Sequence, residues 1–393
     1  MKRVLYILLL ILIPAGAGAQ SSIREVLDII ERNNPALKAA GEQMQADMIA
    51  NHSEALLANP EVEFNYLMGA DNIGGRHDLR VSQPLDIPTI SGMRSGKAAI
   101  LDTLSSLGYR VARQAVLLRA EQVCIELTYC NAYLHELASH LEQSGSLVRA
   151  YEKRMKAGDA TILDLNKAKI HHATVQGQLN KTESERQSLL SELKSLNGGK
   201  DISYEATSYD ADGFLPGDFE TWFEEASERN PSLEFIRKEV VLGEKQLSID
   251  KAARFPELAL GYMSEIRTAE KFRGVTIGLN IPLWSSANKI RQSRAAVAAA
   301  RSRQTAAEQE MYHKLMGQYR QAEAMKANAE MMRSSLEETD NREFLLSALT
   351  KGEISMIEYL VETDLYYEVL EQTLVAERDY HLSLATLRGF TLQ

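Results

Sequence analysis

Two short motifs each begin with a glycine. A hydroxyl residue follows three positions later, and an acidic residue follows three positions after that. They are Gly158–Asp164, with Thr161 as the hydroxyl residue, and Gly352–Glu358, with Ser355 as the hydroxyl residue. A hydroxyl followed by a carboxylate at this spacing is a capping box, which begins a helix, and a preceding glycine commonly ends the helix before it. The motifs therefore predict charge and hydrogen bonding at two helix turns rather than the making or breaking of bonds.

The other polar residues show no catalytic or metal-binding pattern. His171 and His172 are neighbours on a predicted helix and point to different sides of it, so we interpret them as solvated histidines. His135 and His140 lack the carboxylate or cysteine arrangement of a zinc site. The sequence also shows no nucleophile triad and no phosphate-binding glycine loop. We therefore predict that the protein is not an enzyme and uses no cofactor and no metal.

Charge and cysteine content narrow the class of protein further. The formal net charge of −10 argues against nucleic acid as a partner. Cys124 and Cys130 are the only cysteines. Six residues along one helix separate them by about 9 Å, which is too far for a disulfide. We interpret both as small buried or free thiols.

The N-terminus has the pattern of an export signal. Lys2 and Arg3 precede the apolar run 4–14, and Ala17-Gly18-Ala19 fits a signal-peptidase site. We therefore predict that residues 1–19 are a signal peptide. No later apolar run approaches the ~18 residues that a transmembrane helix needs. A mature chain that crosses a membrane is then expected to do so as a closed β-barrel.

The elements that carry the two acidic motifs occur twice, because the chain repeats itself. Asn34-Pro35 recurs 196 positions later as Asn230-Pro231, and the two acidic motifs lie 194 positions apart. Anchors that keep nearly one offset along half a chain indicate tandem duplication. The repeated unit reads helix, strand, strand, long helix, turn, long helix. We assign residues 20–200 to the first repeat, 201–217 to a linker and 218–393 to the second repeat.

Each repeat contains a predicted hairpin of amphipathic strands, at about residues 61–84 and 257–282. Apolar and polar side chains alternate with the period of two that strands show, and strands of about nine residues, when tilted, cross a bilayer core. A half-buried hairpin packed on helices is the alternative for either hairpin taken alone. The residues predicted to contact lipid are Val62, Phe64, Tyr66, Leu79, Val81, Leu258, Leu260, Tyr262, Val275, Ile277 and Leu279.

A long helix follows each hairpin. The first is predicted from about Ile90 to Ala157, or about 100 Å, and the second from about Ser286 to Lys351. Four strands cannot close a membrane barrel, because such barrels begin at about eight strands. Three copies of the chain would supply twelve strands, so we expect a homotrimer.

The order and spacing of these features resemble the outer-membrane efflux protein (TolC) family. The features are the duplicated unit, the Asn-Pro openings, the strand-ending pairs Pro84-Leu85 and Pro282-Leu283, and the two glycine–acid turns. The resemblance implies a mainly α fold in which a trimeric, 12-stranded outer-membrane β-barrel continues into a periplasmic α-helical barrel. It also implies a Gram-negative outer membrane as the location. The implied partners are outer-membrane lipid, a periplasmic adaptor protein and an inner-membrane pump of the resistance-nodulation-division type.

The same resemblance implies roles for the two glycine–acid turns. Glu358 matches an acidic position that surrounds the pore constriction, and Asp164 matches the acidic partner of a lock at the tip. A capping role accounts for each acid equally well. The residues implied in adaptor docking are Ala157, Gly158 and Asp159 at the first tip, and Lys351, Gly352 and Glu353 at the second tip.

Two positions depart from the family pattern. Ile354 stands where some members have an arginine paired with the acid of the lock, so a polar lock is not expected here. Val361 replaces a second acidic ring residue, which predicts a constriction with a single acidic ring.

Three functions are compatible with the sequence. The first is a passive exit duct of a tripartite efflux system for small molecules or metal ions. The second is the same architecture serving type I protein secretion. The third is a soluble periplasmic coiled-coil scaffold whose hairpins pack internally. The sequence does not indicate which substrate passes through.

Overall fold

The computed structural model describes residues 22–53, 55–69, 75–85, 88–209, 215–267, 270–282, 285–338 and 340–391. The predicted signal peptide, residues 1–19, lies outside the described residues, as do Leu283 and parts of both hairpin turns and of the linker. Within the described part, the chain is mainly helical with one small antiparallel sheet. This confirms the predicted fold class at the level of one chain.

The helices and strands follow the predicted order along the chain. They are α1 (Ile23–Asn33), α2 (Pro35–Ser53), β1 (Glu61–Met68), β2 (Gly75–Leu85), α3 (Pro88–Ala157), α4 (Ile162–Leu196), α5 (Phe219–Arg229), α6 (Pro231–Ala252), β3 (Glu257–Ile266), β4 (Lys271–Asn280), α7 (Ser285–Glu338), α8 (Arg342–Lys351) and α9 (Met356–Thr391). In the described residues, no helix is both long enough and apolar enough to cross a membrane.

The chain forms two compact units. The first, which we call the helical unit, comprises the described residues within 1–32, 120–212 and 328–378. The second, which we call the sheet unit, comprises residues 33–119, 213–327 and 379–393 and contains all four strands.

The helical unit is held together by apolar residues from α3, α4, α8 and α9. One buried cluster lies between α3 and α9 and comprises Tyr129, Cys130, Tyr133, Leu137, Tyr367, Leu370 and Leu374. A second lies where α3 meets α4 and α8 meets α9, and it comprises Leu147, Tyr151, Leu165, Ala168, Leu349, Met356 and Tyr359. The sequence spreads these residues over more than 200 positions, so the helices pack through contacts that local periodicity does not reveal. Both cysteines are buried and free, as predicted.

The Asn-Pro openings are helix caps in the sheet unit. The side-chain Oδ1 of Asn34 accepts the N–H of Leu37 at 3.0 Å, and the Oδ1 of Asn230 accepts the N–H of Leu233 at 3.1 Å. The following proline occupies the first helical position, where a missing N–H costs nothing. The motif therefore fixes where α2 and α6 begin.

The strands form a single sheet in the order β1-β2-β3-β4, with every neighbouring pair antiparallel. The two hairpins are joined side by side, because β2 pairs with β3. Gly261 opposes Ser82 at this seam, and a Cβ on Gly261 would lie 2.7 Å from the carbonyl oxygen of Val81. A glycine is therefore required where the two hairpins meet.

One element differs from the prediction. The helix expected from Ser286 to Lys351 is two helices, because α7 ends at Glu338 and α8 begins at Arg342. The Arg342 guanidinium binds the Asp340 carboxylate at 2.7 Å and lies over the ring of Tyr366, 4.3 Å from its centroid. Asp340 and Asn341 stand at the break, and short polar side chains of this kind compete for backbone hydrogen bonds and favour helix ends over helix interiors.

Candidate functional site: a sheet face and two helix turns

One face of the sheet is apolar and exposed. Val62, Val81, Tyr262 and Val275 form a continuous row across all four strands, because each is the register partner of the next. Leu260 pairs with Ile277 in the adjacent row, and 72% of the surface of Ile277 is exposed. All eleven side chains predicted to contact lipid lie on this face and are exposed.

The opposite face of the sheet is polar and carries ion pairs. Arg80 binds Glu63 at 3.4 Å across β1 and β2, and Arg76 binds Glu265 at 3.3 Å across β2 and β3. Asn280 donates to Glu257 at 3.2 Å across β3 and β4. Along most of the sheet, charged side chains therefore lie on one face and large apolar side chains on the other; the exceptions include Arg273 on the apolar face and Phe272 on the polar face.

The two glycine turns have nearly the same backbone in the helical unit. Gly158 has φ +81° and Gly352 has φ +78°, both in the left-handed region. The N–H of Gly158 donates to the carbonyl of Met155 at 3.1 Å, and the N–H of Gly352 donates to that of Leu349 at 3.2 Å. The next N–H in each turn reaches one residue further back, which completes a Schellman motif and ends the helix.

Both predicted capping boxes are formed. The N–H of Asp164 donates to the Thr161 hydroxyl oxygen at 3.2 Å, and the N–H of Thr161 donates to the Asp164 carboxylate at 3.2 Å. The N–H of Glu358 donates to the Ser355 hydroxyl oxygen at 3.2 Å, and the N–H of Ser355 donates to the Glu358 carboxylate at 2.7 Å. These four hydrogen bonds explain why α4 begins after Thr161 and α9 begins after Ser355.

The hydrogen bonds keep both acids charged. The Thr161 hydroxyl and backbone N–H lower the pKa of Asp164, and the Ser355 backbone N–H and hydroxyl lower the pKa of Glu358. Asp164 also lies 3.8 Å from the ammonium of Lys167, whereas the Glu358 side chain is exposed beside its cap. The two acids are equivalent in the sequence but only Asp164 has a described ion pair.

The two turns lie at the same end of the helical unit. Ala160 from the first turn and Ile354 from the second both pack against the buried cluster that contains Leu165 and Met356. Ile354 therefore contributes to the core of the tip, in the place where the resemblance implied an arginine. Val361, the second departure, is exposed. The residues predicted to dock an adaptor, 157–159 and 351–353, are all exposed.

The sequence interpretation of one histidine was wrong. His171 is buried rather than solvated, and its Nε2 lies 3.2 Å from the Nε2 of His140. Its Nδ1 lies 3.3 Å from the carboxylate of Asp364. These partners are 31 and 193 residues away in the sequence, so a search for closely spaced ligands does not find them. His172 points elsewhere, with its Nδ1 2.9 Å from the Ser144 hydroxyl.

The fold is similar to that of solved membrane proteins, including two from the outer membrane. A membrane protein from Pseudomonas aeruginosa has a TM-score of 0.80 with this chain at 14% identity, over 94% of this chain and 90% of that chain. The Campylobacter jejuni CmeC outer membrane channel has a TM-score of 0.74 at 16% identity, over 94% of this chain and 85% of that channel. The Vibrio cholerae outer membrane protein VceC has a TM-score of 0.77 at 12% identity, over 94% of this chain and 96% of VceC.

These likenesses establish the fold. Because the agreement extends over nearly all of each chain, the fold of a single chain expected from the resemblance to outer-membrane efflux proteins is confirmed. No protein-family model matches the sequence, and no curated protein matches it.

Proposed function

We propose that the protein is the outer-membrane channel of a tripartite efflux system, a passive exit duct from an inner-membrane pump to the cell exterior. The observation that carries this proposal is the exposed apolar face of the four-stranded sheet, with β1 and β4 as its open edges. An isolated sheet of this kind exposes both a large apolar surface and unpaired backbone groups. Lipid covers the first, and closure into a barrel removes the second.

A homotrimer satisfies both requirements. Three copies place β4 of one chain beside β1 of the next and close a barrel of twelve strands, whose polar face then lines a water-filled lumen. CmeC and a Neisseria gonorrhoeae protein, MtrE, are both described as outer membrane channels, and the latter has a TM-score of 0.73 with this chain at 12% identity. This likeness supports the outer membrane as the location of the trimer.

The turns at Gly158 and Gly352 are proposed as the docking tips for a periplasmic adaptor. They are exposed, adjacent in space and built on rigid helix caps, so their shape is fixed before a partner binds. An adaptor at these turns would connect the duct to a pump of the resistance-nodulation-division type. The substrate, whether a small molecule or a metal ion, need not bind to a wide duct.

The two alternatives make different demands on the structure. A soluble periplasmic scaffold would bury the apolar sheet face against helices, whereas this face is exposed in the described residues. A channel for type I protein secretion uses the same architecture, and a neighbouring gene for a secreted protein rather than for a pump would favour it.

Membrane fractionation and conductance test the proposal directly. We expect the mature protein to sediment with the outer membrane, to migrate as a trimer and to form conducting pores in planar bilayers. Release with the periplasmic fraction as a monomer would contradict the channel and favour the scaffold.

Replacement of Gly352 by valine should disturb adaptor docking. A β-branched residue in the left-handed conformation costs about 1–2 kcal/mol, and no atom within 4 Å blocks the new Cβ, so the effect is confined to the backbone of the turn. We expect increased sensitivity of cells to the transported compounds, with normal trimer levels, as measured by growth inhibition and immunoblotting.

The matched control is Gly352→Asn, because asparagine tolerates the left-handed conformation. It should retain function. Loss of trimer in Gly352→Val would show that the turn is purely structural, and normal resistance in that variant would remove the turn from the docking surface.

A further inference from the structure

A cavity of about 500 Å³ lies between α3, α4 and α9 within the helical unit. His140 projects into it from α3, His171 from α4, and Asp364 from α9. Neither the exit-duct function nor the helix turns account for these three side chains. The cavity is also lined by Glu368, Glu371 and Lys167, so three carboxylates face one ammonium group. The balance of charge favours a cationic occupant.

The two imidazoles direct the same nitrogen toward each other. The Nε2 atoms of His140 and His171 lie 3.2 Å apart, and the ring centroids are 5.1 Å apart at an interplanar angle of 58°. Two histidine nitrogens that each lie ~2.0–2.1 Å from one tetrahedral metal ion are about 3.3 Å apart. The observed separation is within about 0.1 Å of that of a histidine pair bound to one ion, and it is also the distance of a hydrogen bond between the two rings.

Neighbouring groups hold both rings in place and leave nitrogens available. The Asp364 carboxylate lies 3.3 Å from Nδ1 of His171 and accepts a hydrogen bond from the N–H at that nitrogen. Nε2 of His171 then presents a lone pair. The ring of His140 stacks on Tyr367 with 3.7 Å between centroids and an interplanar angle of 3°.

Hydrogen bonding alone does not explain the pair. His140 is only 2% exposed, yet its Nδ1 has no hydrogen-bond partner in the described residues. A neutral imidazole has one N–H and one lone pair, so every tautomer of His140 leaves one polar group buried without a partner. Burying such a group costs free energy, and replacing both rings by apolar side chains of similar shape would remove that cost.

We propose that His140 and His171 bind a divalent transition-metal ion through their Nε2 atoms, with Asp364 orienting His171 from behind. Among the described residues, no three histidine, cysteine or acidic side chains lie close enough together to hold an ion, so water completes the coordination. Imidazole ligands favour Cu²⁺ and Zn²⁺ over Mg²⁺ and Ca²⁺. The site is therefore selective by ligand type, and its open positions allow the ion to exchange.

Calorimetric titration of the purified full chain in detergent, without a polyhistidine tag and after chelator treatment, tests this inference. ZnCl₂ should bind at one ion per protomer, and MgCl₂ should not. His171→Gln should weaken Zn²⁺ binding at least tenfold. Asp364→Asn should weaken it by about 10–100-fold, the usual effect of losing a carboxylate behind a ligating histidine. The matched control is His135→Gln, which removes an exposed histidine of α3 and should bind as the wild type does.

Electron paramagnetic resonance of the Cu²⁺-loaded protein gives a readout that does not depend on any variant. Its spectrum should show hyperfine coupling to two imidazole nitrogens in the wild type and to one in His171→Gln. The inference is wrong if the wild type takes up no Zn²⁺, if both His171→Gln and Asp364→Asn bind as tightly as the wild type, or if the Cu²⁺ spectrum lacks two nitrogens. These measurements use isolated protein, so they succeed or fail independently of the channel function.

Discussion

Ile277→Arg should abolish assembly of the protein in the outer membrane. Ile277 lies on the apolar face of β4 opposite Leu260, and 72% of its surface is exposed. An arginine on the lipid face near the bilayer midplane costs about 2–4 kcal/mol. A trimer carries the substitution three times, so the total penalty is comparable to the whole stability of many domains. We expect almost no trimer in isolated outer membranes, measured by immunoblotting, and the same result for Leu260→Arg and Val81→Arg.

The control for this prediction lies one residue away on the same strand. Thr276 pairs with Gly261 on the polar face, so Thr276→Arg should place its charge in the lumen and assemble. Gly274→Arg is a second control, because a Cβ there meets no atom within 4 Å. Equal insertion of the two classes of variant would show that the sheet face assigned to lipid, or the barrel itself, is incorrect.

Glu358→Gln should weaken the block of the pore by divalent cations. The proposed trimer brings three copies of the exposed Glu358 carboxylate to one narrow opening, where their mutual repulsion is relieved by cations. Glutamine keeps an oxygen that can accept the N–H of Ser355, so the helix cap is largely retained while the charge is lost. We expect an increase of about tenfold in the divalent concentration that blocks conductance in planar bilayers, together with reduced cation selectivity.

Asp164→Asn is the matched control for this experiment. Asp164 occupies the equivalent capping box, but it pairs with Lys167. The family resemblance also matches Asp164 to the lock at the tip and not to the acidic ring of the pore. Selectivity and block should be nearly unchanged in this variant. If they are unchanged in Glu358→Gln as well, Glu358 acts only as a helix cap and the selectivity of the pore arises elsewhere, for example at Glu353, Glu362 or Asp364.

Local patterns predicted the strand faces and the helix turns correctly. The alternation in β1 to β4 depends on neighbouring residues alone, and so do the capping boxes at Asp164 and Glu358. The number of copies needed to close a barrel followed from counting strands, and it remains a proposal.

The features that sequence reasoning missed depend on distant contacts or weak signals. His171 is buried because α3 and α9 pack around it, and its partners are far away in the sequence. The break between α7 and α8 contains no glycine or proline, the strongest markers of a helix end. Its only signal was the pair Asp340-Asn341, which is too weak to end a helix without the contacts of Arg342.

That break makes the two copies of the duplicated unit mechanically different. α3 is a single helix of 70 residues that ends at the turn of Gly158. The corresponding turn at Gly352 follows the ten-residue α8, which is separated from α7 by the break at Asp340 and Asn341. At this break the guanidinium of Arg342 contacts Asp340, Glu136 and the ring of Tyr366. The position of the second turn therefore depends on the contacts of Arg342 and on the packing of Leu349 in the buried cluster, whereas the first turn continues directly from α3. One repeat thus reaches its turn through a continuous helix, and the other reaches its turn through a junction between two helices at which Arg342 makes its contacts.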